Sequence, residues 1–308
     1  MKTTLLAAVD FSEATDALVE VVAALARAGA FSVALVHVIA TPVITERMLR
    51  TEAQAADTRL ERLRLRLAAR GVDAQAYQFC GPAVREIKAA IRQLQPELVA
   101  LGHRGHGAVR DACFGSVAVQ ILKHAPCPVL VVPAAGGRGA LFSAHSTAVK
   151  TIAAAVDLSQ NTDAVVRAAA SLAKALAADL VLLHVFPFSA PSTAVRPSSE
   201  DLDRLLAEEQ AQCRAALLRA AGKYPARVEP LHSEDSPAAA IDTWASVHKP
   251  AVIVLGRQPP HPPRFLPARG TGGQLLRHLP CSILVIPAPA TARKGSRTKS
   301  QQTANAVC

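Results

Sequence analysis

The sequence predicts an α/β fold with parallel sheets, built as two tandem domains of one kind. Three observations lead there. Short apolar runs rich in Val, Leu and Ile alternate with long Ala/Leu/Glu/Arg segments of helical spacing. The alternation is written twice. Val9-Asp10-Phe11-Ser12 returns as Val156-Asp157-Leu158-Ser159, and Leu35-Val36-His37-Val38 as Leu182-Leu183-His184-Val185, both at an offset of 147. Leu101-Gly102 returns as Leu255-Gly256, and His124-Ala125-Pro126-Cys127 as His278-Leu279-Pro280-Cys281, both at an offset of 154. Finally, 308 residues suit two domains of roughly 100–200 residues each.

Within the first half, Thr4–Val9, Ser32–Ile39, Leu98–Gly102 and Val129–Val132 are continuous apolar runs, the pattern of strands buried on both faces. A further strand is expected near Gln75–Phe79. Helical spacing covers Ala14–Ala28, Glu46–Arg70, Ala83–Leu94 and Val117–Lys123. Gly71 ends the second of these and Pro96 follows the third. Strand–helix alternation implies right-handed βαβ crossovers. The expected division is a first domain over 1–135, a Gly/Ala/Ser linker over 136–148, a second domain over 149–288, and a disordered basic tail over 289–308.

Composition narrows the function. Half of the residues are hydrophobic and 19% are charged, which excludes a disordered chain. Aromatics make up 4%, with one Trp, too few for the stacking platforms of single-strand nucleic-acid binders. The net charge of +10 divides evenly between residues 1–150 and 151–308, and four of the second half's basic residues (Arg293, Lys294, Arg297, Lys299) sit in the tail. Such a balance favours anionic partners without naming one. Six scattered cysteines, with no C-x-x-C, imply free thiols and a cytoplasmic setting rather than zinc. No apolar run approaches a membrane span. The apolar run after Met1-Lys2 is stopped by Asp10, too early for a secretory leader.

The chemistry concentrates in Leu101-Gly102-His103-Arg104-Gly105-His106-Gly107, continued to Gly115-Ser116-Val117, a skeleton G-x2-G-x9-G-S. Gly102 ends a strand. Gly102 and Gly105 let the backbone turn and present N–H groups with no Cβ in the way. Ser116 is placed to cap a helix starting near Val117, whose N-terminus suits a phosphate. Asp10 lies at the same sheet edge. The alternative for this segment is a tight strand–helix loop whose glycines serve geometry alone.

At these residues the chain resembles the universal stress protein family, over about 1–133 and 150–287. The glycine skeleton, Val117, and Ala125-Pro126-Cys127-Pro128-Val129 running into the last strand are similar to that family's nucleotide motif and final strand. The resemblance implies two tandem Rossmann-like domains of the adenine nucleotide alpha hydrolase type. Each is a five-stranded parallel sheet with helices on both faces, and the two pair as an intrachain pseudo-dimer through Val129–Val132 and Ile283–Ile286. It implies ATP, or AMP or ADP, with Mg as an optional companion. Asp10 would lie at the ribose and Val38 at adenine. Leu101, Gly102 and Gly105 would line ribose and phosphates, with Arg104 nearby, and Gly115, Ser116 and Val117 would hold phosphate oxygens. The partners implied are an adenine nucleotide, an unidentified protein and, beyond the internal pairing, a homodimer. Two roles stay open for Asp10, ribose contact or helix cap. His37 and His184 are expected to be satisfied core histidines.

The second half departs from this pattern. Its equivalent run reads Gly256-x2-Pro259-x9-Arg269-Gly270. Proline removes a donor and fixes φ, so nucleotide binding there is expected to be lost or altered. Gly270 or Gly272-Gly273 rebuilding a site in shifted register is the alternative. No Walker A sequence, kinase loop or nucleophile elbow occurs, which argues for binding over turnover; the resemblance implies a nucleotide-responsive stress regulator. A nucleotide-independent scaffold and a slow ATPase are the alternatives. Arg59, Arg62, Arg66 and Arg70 form one helical stripe beside Leu60, Leu63 and Leu67. It is read as a solvated face in preference to a nucleic-acid surface.

Overall fold

The computed structural model describes residues 3–40, 45–103, 115–134, 151–186, 198–233, 235–257 and 271–288. The first half runs β1 (Thr4–Val9), α1 (Ala14–Gly29), β2 (Ser32–Ile39), α2 (Glu46–Ala68), β3 (Ala74–Cys80), α3 (Ala83–Leu94), β4 (Leu98–Gly102), α4 (Ser116–His124) and β5 (Val129–Val132). The second repeats it: β6 (Thr151–Ala155), α5 (Thr162–Ala175), β7 (Asp179–Phe186), α6 (Ser199–Ala221), β8 (Arg227–His232), α7 (Pro237–His248), β9 (Val252–Gly256), α8 (Thr271–His278) and β10 (Ser282–Ile286).

All ten strands join one sheet, ordered β3-β2-β1-β4-β5-β10-β9-β6-β7-β8. Pairing is parallel within each half. It turns antiparallel only between β5 and β10, where Leu130 faces Leu284 and Val131 faces Ile283. Leu130 and Leu284 are equivalent residues of the two halves, so a pseudo-twofold axis passes between them. This is the intrachain pseudo-dimer the resemblance implies.

Alternation along the strands builds two layers. Leu5 packs with Leu35, Leu60, Leu67, Leu182 and Leu217 on one face, beneath α1, α2, α5 and α6. Leu6 packs with Ile87, Val99, Ile121, Leu183 and Trp244 on the other, beneath α3, α4, α7 and α8. Each layer runs through both halves. With aromatics scarce, Ala packs where helix and sheet approach most closely: Ala7, Ala90, Ala100, Ala153 and Ala169 are fully buried.

The arginine stripe is spoken for. Arg66 pairs with Asp16 and Glu20, Arg70 pairs with Glu20, and Arg59 lies over the Phe11 ring, so three of the four fasten α2 to α1 or the turn before it. No described helix is long and apolar enough to cross a membrane. The linker and tail expectations fall outside the described residues.

Candidate functional site

The strand order reverses between β1 and β4, the position where ligands sit in open sheets of this kind, beyond the carboxyl ends of the strands. Asp10 follows β1 directly. Its Oδ1 accepts from Ser12 N–H at 3.0 Å and from Thr15 Oγ1 at 3.5 Å. Those bonds hold a tight turn in which Phe11 takes a left-handed φ of 59°, a conformation that non-glycine residues avoid unless the surroundings impose it. Asp157 and Leu158 repeat the turn, with Ser159 N–H at 3.0 Å and φ 57°. Glu13, not Asp10, is the N-cap of α1, so the helix-cap alternative for Asp10 gives way to a turn-holding role.

His37 at the end of β2 places Nδ1 2.8 Å from Val9 O and packs tilted against the Phe11 ring, with centroids 4.3 Å apart. Burial lowers its pKa from the ordinary 6.5, which favours the neutral ring donating Nδ1–H to that carbonyl. His184 makes the same bond to Val156 O at 2.7 Å. Both are the satisfied core histidines expected. Val38, beside His37, is half-buried at the same edge.

The glycine segment has two described ends, and they meet. His103 N–H donates to Val132 O at 2.8 Å, and Gly115 N–H donates to His103 O at 3.2 Å. The excursion from Gly102 therefore leaves and returns at one point of the sheet edge. Leu101 is buried in β4, Gly102 is its last residue, and Arg104 and Gly105 lie outside the described residues.

Gly115 is the N-cap of α4, in extended conformation and with no side-chain cap. Ser116 is thus the exposed first residue of the helix and not its cap, a correction to the sequence expectation. The extra residue of helix follows from Gly115 already having the extended φ and ψ that a cap needs. The first intrahelical bond is Val119 N–H to Gly115 O. The N–H groups of Ser116, Val117 and Ala118 therefore have no intrahelical acceptor. No acid stands in the first turn to compete for them. A phosphate fits this donor set. Among the described residues no cluster of metal-ligating side chains occurs.

One feature escaped the sequence. His103, part of the glycine run, is buried, and its Nε2 lies 3.1 Å from Leu276 O in α8 of the other half. Its equivalent, Arg257, sends Nη1 to Leu122 O and Ala125 O at the end of α4, both at 2.9 Å. Leu122 and Leu276 are themselves equivalent. The residue after each strand-ending glycine thus holds the last helix of the opposite half. Either residue type alone suggests a ligand or a surface cation; only the fold supplies the partner.

Relatives place this architecture. The model of the universal stress protein family matches residues 1–133 and 148–287. The chain belongs to the universal stress protein family. A universal stress protein of Synechocystis is 33% identical over 82 residues, covering 27% of this chain and 75% of that protein. The crystal structure of a universal stress protein from Archaeoglobus fulgidus superposes with a TM-score of 0.68 at 19% identity, covering 94% of this chain and 97% of that one. A functionally unknown protein of Pseudomonas aeruginosa gives 0.60 at 17% identity, over 93% and 92%. At these identities the solved structures establish the fold alone: two Rossmann-like universal stress protein domains in one chain.

Burial makes three of the four described cysteines poor nucleophiles. Cys281 is buried, which raises its pKa to about 12, and burial also raises Cys127 and Cys213. Such thiols are inert as nucleophiles. Cys80 is the exposed end of β3.

Proposed function

We propose that the first domain binds an adenine nucleotide (ATP, AMP or ADP) and acts as a nucleotide-responsive stress regulator. The observation that carries it is the closed root of the glycine segment, Gly115 N–H on His103 O. It sets the uncapped N-terminus of α4 beside the end of β4, one strand from Asp10. Phosphate oxygens are assigned to the N–H groups of Ser116 and Val117 and to the Ser116 hydroxyl. The ribose is assigned to Asp10, the base to Val38, and the remaining lining to Leu101, Gly102, Arg104 and Gly105.

The chain carries no lysine placed by motif to polarise a γ-phosphate and no base placed to activate water, so binding rather than turnover is its role. Responsiveness has a physical route. His103 carries the loop root on its backbone and the α8 contact on its ring, so ordering one biases the other.

The test is thermal unfolding with ATP against the Gly115→Leu variant. A ligand at 100 times its Kd, bound only by the native state, stabilises by about 2.7 kcal/mol. The parent protein should show the corresponding rise in midpoint and the variant should show none. Equal midpoints for the parent with and without ATP would favour the nucleotide-independent scaffold. Sustained phosphate release lost in Asp10→Ala would instead indicate a slow ATPase.

A further inference from the structure

The second half holds a cavity of about 870 Å³ beyond the ends of β6, β7 and β9, closed on one side by α4 of the first half. Most of its wall is apolar, including Val156, Val165, Leu183, Ile241, Leu255 and Leu276. Its size is that of a small-molecule pocket.

Two buried polar side chains in that wall have no hydrogen-bond partner. The Asn161 amide has both Nδ2 and Oδ1 unsatisfied, and Thr162 Oγ1 is unsatisfied as well, although the two residues are only 6% and 7% exposed. The position is telling. The first half has Ala14 where the second has Asn161, and Ala14 is buried without cost. An amide buried in its place is destabilising unless something bonds it. Its Nδ2 lies 2.7 Å from where a Cβ on Gly256 would stand, so the amide takes up the room that the glycine leaves at the end of β9.

Charge adds a second constraint. Among the described residues, Lys123, Arg257 and Arg277 line the cavity with Asp157 as the carboxylate beside them. The described bonds of Arg257 go to carbonyl oxygens, not to a carboxylate. The N-terminus of α8, with Thr271, Gly272 and Gly273, adds donors at the same wall. The chain beyond Ala288 carries Arg293, Lys294, Arg297 and Lys299, the wrong sign to fill it.

We propose that this cavity is a second ligand site, for an amphipathic small-molecule anion. Its mostly apolar body lies against the β6, β7 and β9 ends, its polar edge pairs with Asn161 and Thr162, and its single anionic group faces Arg257 and Arg277. It is not a polyphosphate site. Pro259 and Arg269 stand where the first half has the glycines that expose backbone donors.

The probe is 8-anilinonaphthalene-1-sulfonate, titrated by fluorescence into the full chain and then displaced by dodecanoate or by ATP. Expected are one saturable site per chain and displacement by dodecanoate but not by ATP at equal concentration. Affinity should fall about tenfold in Asn161→Ala and severalfold in Arg277→Glu. Asn161→Ala should also raise the unfolding midpoint of the ligand-free protein by about 2 °C, since it removes the orphaned amide and restores the first half's residue. Full affinity in Asn161→Ala, a lowered midpoint in that variant, or displacement by ATP rather than dodecanoate would overturn the proposal.

Discussion

The two halves share a backbone and differ in what stands at the ends of their strands. In the first, the N–H groups of Ser116, Val117 and Ala118 have no intrahelical acceptor, Ala14 is silent, and a neutral-type residue, His103, reaches across to the other half. In the second, Pro259 and Arg269 replace two glycines, Asn161 introduces an unsatisfied amide, and Arg257 makes the crossing with two bonds. A duplicated domain keeps its fold through β1, β4 and β5 and their equivalents, which are buried and interchangeable. Its edge is then free to diverge. The difference teaches that fold and site are separable here: the helices and strands match, while the chemistry at the sheet edge does not.

The largest effect should come from the element that both halves share. Leu284→Glu buries a carboxylate at the pseudo-twofold junction against Leu130, and should cost about 4 kcal/mol or prevent folding. Thermal unfolding of the variant reads this. A change under about 1 kcal/mol would mean that the halves do not depend on the β5–β10 pairing.

Next is the asymmetry at the glycine segment. Gly115→Leu should weaken ATP binding at least about a hundredfold, equivalent to about 2.7 kcal/mol, by covering the α4 donors. The same change at Gly270, the glycine next to the Arg269 that stands in its place in the second half, should leave the ATP affinity of the chain unaltered. Calorimetric titration distinguishes the two.

The crossing contacts give a smaller and graded pair. Arg257→Met leaves two carbonyls without their donor and should cost about 2 kcal/mol, while His103→Phe gives up the bond to Leu276 O and should cost about 1 kcal/mol. Equal costs in urea unfolding would contradict a heavier role for the second half's residue.

The smallest effect is one of pH. Burial lowers the His37 pKa below 6.5 in the folded chain, so the unfolded chain binds more protons in that window. The penalty is absent above pH 6.5, sets in as pH falls through that value, and is complete below the folded pKa. Stability should therefore decline on acidification from pH 7, and His37→Asn should flatten that decline.

Much of this was legible in the sequence. Four strands of the first half, Thr4–Val9, Ser32–Ile39, Leu98–Gly102 and Val129–Val132, are found with the bounds their apolar runs suggest. Strands buried on both faces announce themselves without a phase to misjudge. β3 reaches one residue further at each end, to buried Ala74 and exposed Cys80, because its half-exposed middle gives no continuous apolar run to mark the bounds. The α2 stripe was legible as a helix face, but its partners Asp16 and Glu20 lie some fifty residues away, beyond any local pattern. His103 and Arg257 were legible only as residues after a glycine. Their partners are more than 130 residues distant and are created by the β5–β10 junction. Asn161 was recoverable in principle. Laying the repeats together at the 147-residue offset sets a polar amide against Ala14, and a polar residue at a core position of its twin is a signal worth reading.

The asymmetry between the halves is tested most directly by the nucleotide the chain carries. The protein is purified gently, denatured, and the released nucleotide quantified by mass spectrometry, for the parent chain and for Gly115→Leu. The account predicts about one adenine nucleotide per parent chain at saturation and almost none for the variant. About two per chain, or an undiminished yield from Gly115→Leu, would contradict it.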